Sequence, residues 1–80
     1  MVADTAQVAR IIGRNLREAR RRRNLPQHGL GLKQSHVSRI ERGLVEPAFG
    51  TLIGLARELK ITIEALLAGM RWGEVATSTG

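Results

Sequence analysis

Helix-stopping residues cut this chain into short lengths. Asn24, Gly29 with Gly31, Gly43, Pro47 and Gly69 leave only brief stretches between them. Each of these residue types either tolerates a left-handed backbone or cannot continue a helix. Within the stretches, apolar residues recur at helical spacing and nowhere alternate over strand length. The expectation is an all-α domain of five short helices. At 80 residues there is room for one such domain, and so small a core favours dimerisation.

The first stretch, Thr5 to about Arg23, places Val8, Ile12, Leu16 and Ala19 on one face and Arg10, Arg14, Arg17 and Arg21 on the other. Arg20 falls beside the apolar stripe. Asp4 or Thr5 suits the N-cap, and Asn24 suits a left-handed stop. Pro26 suits the first position of a second helix, which the glycines restrict to one turn or two. Gln34 to Arg42 reads as a third helix stopped by Gly43, with Val37 and Ile40 on one side. Gln34, Ser35, Ser38, Arg39 and Arg42 share the other side without an acid among them. His36 projects near Ile40 and is expected to be packed or at the rim. After Pro47, the apolar pattern of Phe49, Leu52, Ile53, Leu55, Ala56 and Leu59 marks a fourth helix from about Ala48 to Leu59. Thr62 caps a fifth, Ile63 to Ala68, ending at Gly69. A tail from Met70 carries Trp72 and is expected to fray.

Charge is distributed unevenly. Residues 1–43 carry +7 by count and residues 44–80 carry −1, so the whole formal net charge of +6 comes from the first half. A one-sided basic field points to a polyanion, nucleic acid before an anionic membrane surface. Eleven of the thirteen basic residues are Arg, whose planar fork suits phosphate and guanine. With only Phe49 and Trp72 as aromatics, the stacking platforms of single-strand binders are missing. The absence of Cys excludes disulfides and thiolate metal sites and fits a cytoplasmic protein. The opening MVADTAQVAR lacks the pattern of a secretion signal, and no apolar run approaches a membrane span. His28 and His36 have no orienting acid at a catalytic spacing and match no zinc pattern. Neither an enzyme nor a cofactor or metal is therefore expected.

The run Gly31-Leu32-Lys33-Gln34-Ser35-His36-Val37-Ser38-Arg39-Ile40-Glu41-Arg42-Gly43 resembles the turn and recognition helix of the Cro/lambda-repressor-like (Xre-type) helix-turn-helix family. The likeness extends outward through Ile12 to Arg23, Leu25-Pro26-Gln27, Glu46-Pro47, Leu52-Ile53 with Leu55-Ala56, and Ile61 to Leu67. The resemblance implies sequence-specific binding of duplex DNA by a homodimeric, bacterial-type transcriptional regulator, with the third helix in the major groove. Carried over residue by residue, Gln34, Ser35, Ser38 and Arg39 become base contacts. Gln27, Lys33 and Arg42 become phosphate contacts. Arg20 and Glu41 become a structural ion pair between the first and third helices, and both sit at the edges of their apolar faces in projection.

The chain departs from the pattern at three places. About one turn of the second helix is absent between Gln27 and Gly31, so that either the third helix is drawn toward the first or the second becomes a loop. Lys33 stands where a capping Ser or Thr is usual, and Lys60 where Gly is common. Residues 1–69 are read as the DNA-binding domain and 70–80 as a tail that is partly disordered or contacts a dimer partner. The alternative is a protein-interaction module with weak or no DNA binding, using the C-terminal apolar residues Leu66, Leu67, Met70 and Trp72. Membrane-surface binding by the first helix conflicts with the use of its apolar face in the core.

Overall fold

The computed structural model describes residues 5–70, and among these every regular element is helical. Helix α1 spans Thr5–Arg22, a single 3-10 turn η1 spans Gln27–Leu30, and α2, α3 and α4 span Gln34–Glu41, Phe49–Leu59 and Ile63–Leu66. The fold is all-α, with four α-helices and one 3-10 turn among the described residues in place of the five helices expected. With Gly29 inside it and Gly31 at its end, the second segment goes no further than a 3-10 turn, entered by a bond from the Gly29 N–H to the Pro26 carbonyl at 3.0 Å. Pro26 is extended and stands just before that turn, not inside it.

Three helices end in the same way. Asn24, Gly43 and Lys60 each take a left-handed backbone, with φ of 55°, 73° and 56°. After each, the chain turns back to close two carbonyls of the last helical turn. Leu25 N bonds Arg20 O, Leu44 N bonds Arg39 O, and Ile61 N bonds Ala56 O, at 3.1, 3.0 and 3.0 Å. This is the usual αL termination. Helix α4 is shorter than its apolar pattern predicts and gives way to a turn after Leu66. Asn15 caps the turn that follows: its Nδ2 donates to the carbonyls of Leu66 and Ala68, both at 2.8 Å, which are among the terminal carbonyls that a helix leaves unpaired. At the start of α4 the Thr62 hydroxyl accepts the Ala65 N–H at 3.1 Å.

The core is one aliphatic cluster. Ile12, Leu16 and Ala19 from α1 meet Leu30, Val37, Ile40, Leu52, Leu55, Ala56, Leu59 and Leu66. Helix α1 packs against α2 and α4, while α3 packs against η1 and α4. The α1–α2 crossing is tight because of Gly13, where a methyl group would collide with the backbone oxygens of Ile40 and Glu41. The second helix is reduced to η1, and the end of α2 lies against the backbone of α1 at Gly13. The N-cap candidate Asp4, together with Trp72 and most of the tail, lies outside the described residues. Among the described residues no helix is long and apolar enough to cross a membrane.

Candidate nucleic-acid interface

Helix α2 is eight residues long and buries only Val37 and Ile40. Burying so narrow an arc leaves most of its circumference outside. Gln34, Ser35, His36 and Arg39 are exposed and Ser38 is half-buried. Of the two places expected for His36, packed or at the rim, its exposure excludes the first. It lies about 40° from Ile40 and about 60° from Arg39 around the helix, and the buried arc between Val37 and Ile40 stops short of it. At the start of α2 the exposed Lys33 supplies no side-chain cap. The Lys33 carbonyl accepts the N–H groups of His36 and Val37 at 3.0 and 3.1 Å. The Gln34 and Ser35 amides have no intrahelical acceptor, and such donors at a helix start suit an anion.

A polar network fixes this helix on α1. Arg20 Nε donates to Glu41 Oε2 at 2.6 Å and Arg20 Nη2 to Glu41 Oε1 at 3.0 Å. Arg20 Nη1 reaches the Leu25 carbonyl at 2.8 Å. Gln27 Nε2 donates to Glu41 Oε1 at 3.1 Å. The side chains of Arg20 and Glu41 are only 12% and 4% exposed, so the pair is shielded from water. Burial pushes the Glu41 carboxyl up, but the hydrogen bonds from Arg20 and Gln27 and the charges of Arg20 and Arg17 outweigh it and hold the carboxyl below its usual range. The Arg20 guanidinium is raised above its ordinary value, chiefly by its hydrogen bond to Glu41. One residue, Glu41, thereby joins α1, η1 and α2.

Of the residues assigned to DNA from sequence, the structure gathers Gln34, Ser35, Ser38, Arg39 and Arg42 on α2 and its C-cap. Arg42 is exposed, its Nε 3.4 Å from the Ser38 carbonyl. Gln27, on η1, is half-buried against Glu41 and lines one hollow with Ser38 and Arg42. Two positioning residues escaped the sequence reading. Gly13 reads as an ordinary helix glycine until its neighbour is known. Asn15 has partners 51 and 53 residues away, though a polar residue bordering an apolar stripe was a weak signal. Among the described residues no cluster of His, Asp or Glu is arranged to hold a metal ion.

Comparison with known proteins agrees with this architecture. A family model described as Helix-turn-helix matches residues 16–66. An uncharacterised HTH-type transcriptional regulator of Sinorhizobium fredii is 45% identical over 56 residues, which cover 65% of this chain and 29% of that protein. The chain therefore spans less than a third of that relative. The restriction-modification controller protein C.AhdI from Aeromonas hydrophila is 32% identical, with a TM-score of 0.69 over 72% of this chain and 94% of its own. An HTH_3 family transcriptional regulator from Vibrio cholerae, 23% identical, shares the fold with a TM-score of 0.75 over 94% of this chain and 43% of its own. The family is defined by a helical domain and is not an enzyme class, and with 51 of its 80 residues inside the family match, this chain belongs to the helix-turn-helix family.

Proposed function

We propose that this chain binds duplex DNA sequence-specifically as a transcriptional regulator, with α2 in the major groove and two copies related by a two-fold axis. The observation that carries the reading is the outer side of α2. An exposed face of Gln34, Ser35 and Arg39, free of acids, is propped on α1 by a shielded ion pair. An α-helix fits the major groove, where each base pair shows a distinct pattern of donors and acceptors. Gln34 takes an adenine edge, Arg39 a guanine edge, and Ser35 and Ser38 adapt to either. Lys33 and the free amides at the start of α2 take one phosphate, and Arg42, with Gln27 on the same side, takes another. A homodimer places two copies of α2 about 34 Å apart on a near-palindromic site. The DNA-binding unit is residues 1–69, with 70–80 as its tail, and the setting is cytoplasmic.

Selection of binding sites from random duplex DNA tests this. An enriched motif with two-fold symmetry is expected, and Gln34→Ala relaxes one base position by roughly 1–3 kcal/mol. A folded protein that enriches no motif overturns the reading. That result would favour a protein-interaction module, for which the exposure of Leu44 and Phe49, 58% and 65%, is the supporting observation. Leu66, by contrast, is wholly buried core, and of the proposed C-terminal contact only the half-buried Leu67 and Met70 remain among the described residues.

A further inference from the structure

We infer that the hollow between α1, η1 and α2 seats a backbone phosphate of duplex DNA, held by Arg17, Arg21 and Arg42, so that α1 is part of the contact surface. The inference rests on the DNA-binding reading and adds to it a docking point on a different helix from the one that reads bases.

The hollow is open and about 380 Å³ in volume, room for a phosphate with some of its water at ~30 Å³ per molecule. Its floor is the Arg20–Glu41 pair with Gln27. These groups are spent on one another: all three Arg20 nitrogens donate, two to Glu41 and one to the Leu25 carbonyl. Arg17, Arg21 and Arg42 stand exposed around them, beside Ser38. Among the described residues none of the three has an ion-pair partner at bonding distance; the nearby pairs join Arg20 to Glu41 and Arg22 to Glu18. Four guanidinium groups against one carboxylate leave the hollow with a net charge of three positives. Planar guanidinium forks match phosphate oxygens two bonds at a time.

Position favours the DNA backbone as the source of that phosphate. The major groove is about 12 Å wide, and a helix with its side chains is about 10–12 Å across. A helix lying in it therefore has a sugar–phosphate strand along each flank. Ser38 and Arg42 mark the flank of α2 that faces α1, and the hollow lies directly on it. The strand on that side passes over Arg17 and Arg21.

The salt dependence of binding decides, with the selected duplex as probe and the full chain as protein. Each phosphate contact contributes about 0.9 to the slope of log affinity against log salt. Arg17→Gln/Arg21→Gln should reduce the magnitude of that slope by about 0.9 and weaken binding evenly across sequences, leaving the selected motif unchanged. Arg22→Gln/Arg23→Gln removes the same charge outside the hollow and should change the slope by much less. Thermal melting of both double variants checks that they fold, which the exposure of all four side chains favours. Equal slope changes in the two pairs would assign the effect to the general field and overturn the inference. An unchanged slope in Arg17→Gln/Arg21→Gln would overturn it as well, while leaving the DNA-binding reading intact. Failure of the unaltered chain to select any duplex overturns both.

Discussion

Between residues 5 and 43 the chain sets backbone against backbone, whereas between 44 and 70 aliphatic side chains fill the gap. In the first region Gly13 leaves no space for a methyl group between α1 and the end of α2, and Glu41 is gripped by Arg20 and Gln27. In the second, the side chains of Leu52, Leu55, Leu59 and Leu66 are buried in the aliphatic cluster, and the polar tie to α4, Asn15 Nδ2 to the Leu66 and Ala68 carbonyls, is supplied by α1. Apolar burial is non-directional: it holds α3 and α4 together but permits small slips. A backbone contact fixes distance, and a two-pronged hydrogen-bonded pair fixes rotation. The directional means are found where the exposed face of α2 has to be held in one orientation, and most of the positive charge lies in the same half.

One substitution made in both regions breaks or sharpens this contrast most. Gly13→Ala forces the two helices apart and should cost about 2–3 kcal/mol, beyond the ~1 kcal/mol that alanine gains over glycine in a helix. Gly54→Ala in α3, where nothing lies within 4 Å of the added methyl, should stabilise by roughly 0.5–1 kcal/mol. Denaturant midpoints of the two variants measure the difference, and shifts of the same sign would show that the α1–α2 contact is not the constraint.

The ion pair comes next. Glu41→Gln removes the charge that Arg20 faces and should cost about 2 kcal/mol at neutral pH. Because the Glu41 carboxyl is held below its usual range, its contribution is complete above the unfolded value near ~4.3. The contribution fades as pH falls through the lower folded value. Stability measured from neutral pH into acid should therefore drop more steeply in the parent than in Glu41→Gln. Parallel curves would mean that the pair is not coupled to folding.

How far sequence reached follows the same division. The stops of α1 and α2 and the start of α4 were legible because their causes are local: Thr62 caps with its own hydroxyl, and Asn24 and Gly43 are residues that accept a left-handed backbone. The aliphatic core was legible from periodicity. The Arg20–Glu41 assignment came from family resemblance, with projection showing only that both residues sit at the edges of their stripes. Gly13 and Asn15 were not legible, since each acts on backbone atoms supplied by a distant part of the chain. The restriction of the second helix to one turn or two followed from the glycine spacing, but its 3-10 form did not. That α2 would then rest on α1 at Gly13 did not, because that depends on how two helices cross.

The smallest effect concerns the helix stops themselves. Lys60 holds a φ of 56°, a conformation that costs a residue with a Cβ roughly 1–2 kcal/mol. Glycine removes that cost but loses roughly 0.5–1 kcal/mol through the greater freedom of the unfolded chain. Lys60→Gly should therefore stabilise by about 0.5 kcal/mol. Asn24 holds nearly the same φ, 55°, but Asn tolerates that region through its short polar side chain, so Asn24→Gly should gain less. The ranking of the two melting temperatures is the informative result. If Asn24→Gly gained more, the first region would be carrying strain at its helix stop that the second does not, and the contrast between them would extend from packing to the backbone.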